Sequence, residues 1–289
     1  MVSRFLSWSG LGKSRPSPPP KELDKEWRVV NWGGKDEIEA GLREIQVNHP
    51  DITHLRILVY GAVGAGKSSF INSADSAFEH RVKTKAGAAS KSTKSHTTKY
   101  KSYKITSTLP FIFNDVMGLQ DEGKNGIHSD DIINAMLGHV RENYEFNPVS
   151  PIKEDNPKYN SSPTLNDKAH CVVSVLSAQT LPVIYEAAFE KIKHVWKMAS
   201  DLDIPHVLLL THIDECCPLV KENLRNVYIS RKIREKMVEC SHKTGIPMTC
   251  IFPVKNYHEE TDTDNDIDIL VLLALRQIFN FANDYVKDL

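Results

Sequence analysis

The sequence predicts an α/β fold with a mostly parallel sheet that is covered by helices on both faces. Two observations support this fold class. Short apolar runs alternate with longer amphipathic stretches, and 40% of the 289 residues are hydrophobic, which is enough for a sizeable core. Strands that alternate with helices form parallel sheets, because right-handed crossovers place each helix against a sheet face. The predicted strands are residues 55–60, 109–113, 171–176, 206–210 and 248–254, and the predicted helices are 68–76, 130–140, 182–199, 219–240 and 268–286.

The region before this pattern divides into two parts. Residues 1–22 predict a disordered head, because the proline-rich stretch 14–20 forms neither a helix nor a strand ladder. Residues 23–50 predict an N-terminal attachment with a short strand at 27–32 and an amphipathic helix at 36–45. The main domain then spans 51–289, with an insertion near 141–170 that contains several prolines and lacks periodicity.

Composition excludes several classes of protein. The 36 Lys and Arg nearly balance the 37 Asp and Glu, so net charge gives no argument for nucleic acid or membrane binding. No apolar run reaches the roughly 18–20 residues that a membrane span needs. The five cysteines have neither disulfide nor zinc spacing, which predicts reduced thiols in a cytoplasmic protein.

Residues 61–68 read Gly-Ala-Val-Gly-Ala-Gly-Lys-Ser and match the phosphate-binding pattern G-x-x-x-x-G-K-[ST] in full. They follow a predicted strand and begin a predicted helix, so backbone N–H groups and the helix N-terminus converge on phosphate. A similar stretch at 10–14 lacks the first glycine and has no preceding strand, so it is rejected. The predicted phosphate-binding residues are Gly61, Gly64, Ala65, Gly66, Lys67, Ser68 and Ser69.

A second motif supplies candidate groups for Mg²⁺ and the terminal phosphate. Asp115 and Gly118 form D-x-x-G at the end of a predicted strand, where the carboxylate holds Mg²⁺ through water. A threonine from the preceding segment completes the Mg²⁺ ligands, with Thr98 favoured over Thr97, and Thr93 as a further candidate. The predicted catalytic residues are Lys67, Ser68, Thr98, Asp115 and Gly118, and the predicted metal ligands are Ser68, Thr98 and Asp115.

A third motif predicts which base is bound. Residues 211–214 read Thr-His-Ile-Asp, close to the [NT]-K-x-D signature of guanine-nucleotide binders. The carboxylate of Asp214 accepts both N–H donors on one edge of guanine, which adenine does not offer, so GTP is favoured over ATP. His212 stands where the signature has lysine. Val254 and Lys255, after the last predicted strand, are the candidates for a backbone contact to the guanine oxygen.

Hydrolysis is expected to be slow. In many GTP-hydrolysing P-loop proteins a glutamine directly after D-x-x-G orients the attacking water. Here that position is Leu119, and Gln120 lies one residue later.

Two segments of opposite charge flank these motifs. The switch segment 81–108 has many basic residues and no acidic residue. It either forms a surface for phosphates, an acidic partner or anionic lipid, or is a solvated loop. The acidic segment 258–268 resembles a calcium loop, but Ile267 and Leu273 occupy the positions that require Gly and Glu, so a solvated loop is predicted.

Together these residues resemble the interferon-induced protein 44 family of vertebrate GTP-binding proteins. The resemblance runs from about residue 27 to the C-terminus, and it rests on the loop 61–69 and on five further segments: 113–119, 138–140, 144–148, 170–172 and 252–257. It implies a Ras-like G domain, a cytoplasmic setting and an interferon-induced antiviral role, with GTP or GDP and Mg²⁺ as ligands. It also implies a protein partner or self-association through the switch regions.

Three functions remain open at this stage. The first is a regulatory GTPase that slowly hydrolyses GTP. The second is an immune binding module that holds nucleotide without significant catalysis, which Leu119 favours. The third is an ATP-selective P-loop protein.

Overall fold

A six-stranded sheet forms the centre of the computed structural model, which describes residues 21–87, 97–106, 108–120, 126–183 and 186–289. Within these residues the strand order is β2-β3-β1-β4-β5-β6, and β2 alone runs antiparallel to its neighbour. This confirms the predicted mostly parallel α/β fold. The strands are β1 (Leu55–Gly61), β2 (Lys101–Lys104), β3 (Phe111–Asp115), β4 (Cys171–Ser177), β5 (His206–Thr211) and β6 (Ile251–Pro253).

Helices cover both faces of the sheet, each over its own apolar cluster. One face carries α3, α4 and α7, and the other carries α1, α2 and α8. The central strands β1, β4 and β5 are therefore buried on both sides, which explains their nearly continuous apolar sequences. The helices are α1 (Lys35–Arg43), α2 (Lys67–Glu79), α3 (Ser129–Met136), α4 (Glu186–Asp201), α5 (Ile213–Cys216), α6 (Pro218–Glu222), α7 (Arg231–Thr244) and α8 (Asn265–Lys287).

The single helix predicted over 219–240 is wrong. The segment breaks into α6, a 3₁₀ turn at Leu224–Tyr228 and α7. Asn223 and Ser230 interrupt it, because each adopts an extended backbone and its side chain accepts from a following backbone N–H group. Apolar spacing alone did not reveal these two caps.

The strand predicted at 27–32 is also wrong. This segment crosses the sheet edge instead of pairing with it, and Arg28 donates to the carbonyls of Ile251 and Met248 at 2.7 and 2.5 Å. The guanidinium lies 5.2 Å from the ring centres of both Trp27 and Phe252. Arg28 thus covers the exposed edge of β6, the position at which another strand would otherwise pair.

Most of the predicted disordered head, residues 1–20, lies outside the described residues. The predicted helix at 36–45 is present as α1, which packs against α8. Lys35 pairs with buried Asp268 of α8 at 2.7 Å. All five cysteines are free thiols.

The insertion packs into the core and pairs with residues 98–100 of the switch segment. Tyr100 donates its N–H to the Tyr144 carbonyl at 2.8 Å and accepts from the Asn143 N–H at 2.9 Å. Phe146 donates its N–H to the Thr98 carbonyl at 2.9 Å. Tyr144 and Phe146 are also buried, so this stretch contributes to the core although its sequence has no periodicity.

His170 fixes the end of the insertion beside β1. Its Nδ1 accepts the backbone N–H of Arg56 at 2.9 Å, so Nε2 carries the proton and donates to the Leu165 carbonyl at 2.9 Å. Burial lowers the pKa of His170 from 6.5 to about 4, and the ring is neutral in the folded protein at physiological pH.

In the described part of the chain, α8 is the one helix long and apolar enough to meet a length-and-composition test for a membrane span. In this fold it packs against the sheet, and the Phe279 ring stacks on Phe111 with centroids 3.5 Å apart. These contacts make it a core helix.

We expect Phe279→Ala to lower the free energy of unfolding by about 3–5 kcal/mol, because it removes a fully buried ring. Asn280→Ala, at an exposed position on the same helix, is the control and should change it by less than about 0.5 kcal/mol. Urea denaturation measures both. Equal small effects would contradict a core position for α8.

Stability should fall as the pH drops from 6.5 towards 4, because unfolded His170 then binds a proton that the folded ring excludes. The contribution is up to about 3 kcal/mol. Urea denaturation across this range should show a smaller slope for His170→Gln, with exposed His258→Gln as control. Buried His206, whose pKa is lowered to about 3, accounts for part of the remaining slope. An unchanged slope in His170→Gln would refute the assignment.

Candidate functional site

The glycine-rich loop joins β1 to α2 and turns sharply through left-handed backbone. Gly64 and Gly66 have φ angles of 73° and 87°, which glycine adopts without strain. A side chain at Gly66 would come within 2.7 Å of the Asn256 amide nitrogen. Gly66 is also the N-cap of α2, and a helix N-terminus offers unpaired N–H groups to an anion. The predicted residues 61–69 therefore lie together in the turn from β1 to α2.

Lys67 lies over this loop in the described structure. Its ammonium donates to the carbonyls of Gly61 and Ala62 at 3.3 and 3.1 Å, and the residue is 7% exposed. Burial lowers the pKa of Lys67, and the negative charge of Asp115 opposes that shift. The Gly61 and Ala62 carbonyls thus hold the Lys67 ammonium against the loop.

Ser68 and Asp115 meet at the carboxyl ends of β1 and β3. The Ser68 hydroxyl donates to Asp115 Oδ2 at 2.7 Å. Burial raises the pKa of Asp115, and Lys67, Ser68 and Thr97 oppose that shift. Parallel pairing of β1 and β3, with Val59 opposite Asp115, places the two motifs side by side.

Thr97, and not the favoured Thr98, contributes the switch hydroxyl to this cluster. Its Oγ1 lies 3.3 Å from Asp115 Oδ2 and 3.5 Å from Ser68 Oγ. Thr98 is exposed, and its carbonyl accepts from Phe146. The backbone pairing of residues 98–100 with the insertion sets which of the two adjacent threonines faces inward. Thr93 lies outside the described residues.

The cluster fits a magnesium ion by its chemistry. Asp115 Oδ1 is buried and has no hydrogen-bond partner among the described residues, although its neighbour Oδ2 has two. A buried unpartnered carboxylate oxygen is costly, and with the Ser68 and Thr97 hydroxyls it forms a set of hard oxygen donors of the kind Mg²⁺ prefers. The described residues contain no group of three His, Cys, Asp or Glu side chains that suits another metal.

Gly118 and Leu119 lie against the phosphate-binding loop. Leu119 donates its N–H to the Gly61 carbonyl at 2.9 Å and accepts from the Val63 N–H at 3.0 Å. A side chain on Gly118 would approach Val63 Cγ2 to 2.4 Å, so only glycine fits. The Leu119 side chain is 2% exposed and lies in the core, so the position expected to hold a water-orienting glutamine faces away from solvent.

The predicted base-binding residues come together after β5. Thr211 Oγ1 donates to the Ala65 carbonyl at 2.6 Å, which joins this segment to the phosphate-binding loop. His212 has a left-handed φ of 52°, and burial lowers its pKa, so the ring is neutral and does not replace the charge of lysine. Asp214 is partly exposed.

The segment after β6 differs from prediction at Val254. Its backbone N–H already donates to the Leu210 carbonyl at 2.8 Å and its side chain is fully buried, so it has no N–H left for guanine. Lys255 does reach the site, with its ammonium 4.0 Å from Asp214 and 2.7 Å from Glu260. The β5–β6 ladder decides this, because it uses the Val254 N–H group.

Sequence reasoning missed Asn256 as a site residue. Its Nδ2 donates to the Gly66 carbonyl at 3.1 Å, and its Oδ1 is buried without a partner. Asn256 therefore connects the end of β6 to the phosphate-binding loop. Two sequence signals could have found it: its position directly after Lys255 and its place in segment 252–257, which carries the family resemblance.

Comparisons with curated proteins confirm the resemblance that the motifs predict, although no family model matches the chain. The chain is 33% identical to human interferon-induced protein 44-like over 260 residues, which is 88% of this chain and 57% of that protein. It is 35% identical to human interferon-induced protein 44 over 243 residues, 82% of this chain and 54% of that protein. The mouse protein of that name is 32% identical over 82% of this chain and 57% of its own length. The chain thus spans about half the length of the curated relatives it matches.

Similar solved structures include a probable GTP-binding protein engB, with 15% identity and a TM-score of 0.39 over 69% of this chain and 88% of that one. Another is Toc33 from Arabidopsis thaliana in complex with Mg²⁺ and GMPPNP, with 13% identity and a TM-score of 0.48 over 87% and 92%. At these scores the similarity adds nothing to the topology described above.

Leu119→Gln should destabilise the protein, because it places an amide without a partner in the core. We expect a loss of at least about 1–3 kcal/mol in the free energy of unfolding, measured by chemical denaturation. The control Leu119→Met keeps the side chain apolar and of similar volume and should cost less than about 1.5 kcal/mol. A glutamine tolerated as well as methionine would mean that this side chain faces solvent.

Proposed function

Since this chain is a relative of the interferon-induced protein 44 proteins over most of its length, we propose that it is a GTP-binding protein of the innate immune response. It binds GTP with Mg²⁺, hydrolyses it slowly, and acts in the cytoplasm. The observation that carries the nucleotide assignment is the buried cluster at the loop: Lys67, Ser68 and Asp115, with Asp115 Oδ1 lacking a partner. A phosphate-binding loop beside an unsatisfied carboxylate suits a nucleotide with its magnesium ion.

In this proposal different residues bind the phosphates and the magnesium ion. Gly61, Gly64, Ala65, Gly66 and Ser69 shape the loop whose N–H groups hold the phosphates, and Lys67 neutralises the outer phosphates. Ser68, Thr97 and Asp115 are the residues that would hold Mg²⁺. Magnesium, when bound, neutralises charge on the phosphate oxygens during transfer.

Base selection rests on Asp214, with Thr211 joining that segment to the loop. The Lys255 ammonium lies 4.0 Å from the Asp214 carboxylate, and a carboxylate at this position accepts two N–H donors from guanine. His212 lies beside the loop, because a Cβ atom added to Gly66 would be 3.5 Å from the His212 Cε1 atom. It contributes contact area without charge.

Slow hydrolysis follows from the position of Leu119. Its side chain is in the core and its backbone is paired with the loop, so it orients no water. The alternative function is a nucleotide-dependent binding module without significant catalysis, acting through a protein partner or a second copy at the switch regions. This same residue favours that alternative.

Nucleotide titration tests the proposal most directly. Lys67→Ala should weaken GTP binding roughly 10–100-fold, because it removes a charge-assisted contact to phosphate. The control Lys13→Ala, in the rejected stretch 10–14, should bind like the unaltered protein. Excess ATP should fail to displace labelled GTP, and Asp214→Ala should lose that preference. If ATP displaced labelled GTP from the unaltered protein as well as GTP does, the guanine assignment would be wrong.

Single-turnover release of phosphate from bound GTP separates the two functions. Release faster than in Lys67→Ala supports a slow GTPase. If the unaltered protein releases phosphate no faster than Lys67→Ala does, the result supports the binding module without significant catalysis.

A further inference from the structure

A polar cavity of about 230 Å³ lies between the sheet and the insertion, apart from the nucleotide site. Its walls come from β1, from the start of β2, from the turn before the insertion and from the insertion itself. The lining residues are Arg56, Tyr100, Ser102, Gly138, Val140, Arg141, Glu142, Asn160 and Asp167. It has room for roughly seven or eight waters at ~30 Å³ each, which is less than the roughly 300–1,000 Å³ of a pocket for a drug-sized ligand.

A chain of hydrogen bonds holds the walls in place. Arg56 Nη1 donates to Asn114 Oδ1 at 3.5 Å, and Asn114 Nδ2 donates to Ser102 Oγ at 2.7 Å. Ser102 Oγ then donates to Glu142 Oε2 at 2.6 Å. Asn114 is 1% exposed, so three strands and the insertion are joined through a buried amide. The cavity therefore keeps its shape without a ligand.

The carboxylates in the walls already accept hydrogen bonds from the protein. Glu142 receives the Ser102 N–H and hydroxyl, at 3.2 and 2.6 Å. Asp167 Oδ2 receives the Thr164 N–H and hydroxyl, at 2.8 and 2.7 Å. Their negative charge is thus partly compensated from within the fold.

Three donor groups in the walls have no hydrogen-bond partner among the described residues. Tyr100 is 4% exposed, and its hydroxyl makes no hydrogen bond there. Burial raises the pKa of Tyr100, so this hydroxyl stays protonated and remains a donor. The Arg141 side chain makes no ion pair within those residues, and Arg56 keeps Nη2 without a hydrogen bond. Guanidinium and phenol donors that face one polar cavity without a protein acceptor point to an acceptor-rich occupant.

We propose that this cavity is a second ligand site, which binds the phosphate group of a small molecule through Arg56, Tyr100 and Arg141. Guanidinium groups and a phenol donate to phosphate oxygens in well-directed hydrogen bonds, and guanidinium presents paired donors that match that geometry. The volume admits a phosphate group with a few further atoms, so free phosphate and small phosphate monoesters share the required chemistry.

Inorganic phosphate is the probe, and its effect on thermal unfolding of the full chain is the measurement, with chloride at matched ionic strength as reference. Bound ligand raises the unfolding temperature through mass action. Because the glycine-rich loop also binds phosphate, each titration is repeated in Lys67→Ala. We expect that variant to keep a phosphate-dependent rise in unfolding temperature.

Tyr100→Phe keeps the buried ring and removes only the donor, so it should weaken the apparent phosphate affinity roughly tenfold or more. Arg141→Gln should have a similar effect, whereas Arg276→Gln, at an exposed position on α8, removes the same charge and should have none. Repeating the titration with a small phosphate monoester separates the two ligand sources.

Three results would overturn the proposal. Phosphate could fail to raise the unfolding temperature at all, or the rise could vanish in Lys67→Ala and survive in Tyr100→Phe, which assigns it to the glycine-rich loop. If Arg276→Gln weakened the apparent phosphate affinity as much as Arg141→Gln does, the effect would come from surface charge alone. Because the nucleotide titrations above are read separately, loss of this second site leaves the proposed GTP binding standing, and the reverse also holds.

Discussion

The hydrogen bond from the Ser68 hydroxyl to Asp115 is the interaction on which the candidate site depends. At 2.7 Å it joins the start of α2 to the end of β3 in a place where both residues are buried. A carboxylate removed from water is stable only when charge and donors compensate it, and here Lys67 and Thr97 supply the rest. The remaining unpartnered oxygen is the point at which a bound cation would complete the cluster.

Strand order brings this cluster within reach of the base-binding residues. β1 lies between β3 and β4, so the loop after β1 has the D-x-x-G segment on one side. Beyond β4, β5 ends in Thr211, whose hydroxyl reaches back to the loop at Ala65. Asn256, after β6, makes a second connection to the loop at Gly66. Ligand sites at the carboxyl ends of parallel strands follow from this geometry.

The insertion extends the sheet beyond β2 and connects it to the switch threonine. Residues 98–100 pair with 143–146, so Thr97 is followed at once by backbone that the insertion holds. On β3, Asn114 turns towards the insertion while the adjacent Asp115 turns towards the loop, because neighbouring side chains on a strand point to opposite faces. β3 thus contributes Asp115 to the loop cluster on one face, and on the other face its Asn114 supports the cavity residues Arg56 and Ser102.

The sequence by itself determined the elements that depend on neighbouring residues: the glycine-rich loop, D-x-x-G, the Thr-His-Ile-Asp segment and the alternation of strands and helices. These patterns are local, because backbone freedom and side-chain period act over a few positions. Only the tertiary structure decided that Thr97 faces inward, that the Val254 N–H is used by Leu210, and that Leu119 lies in the core. Each of these outcomes depends on pairing with a segment that is distant in the sequence. The spacing of residues along the chain does not indicate which backbone groups such a segment will hydrogen-bond.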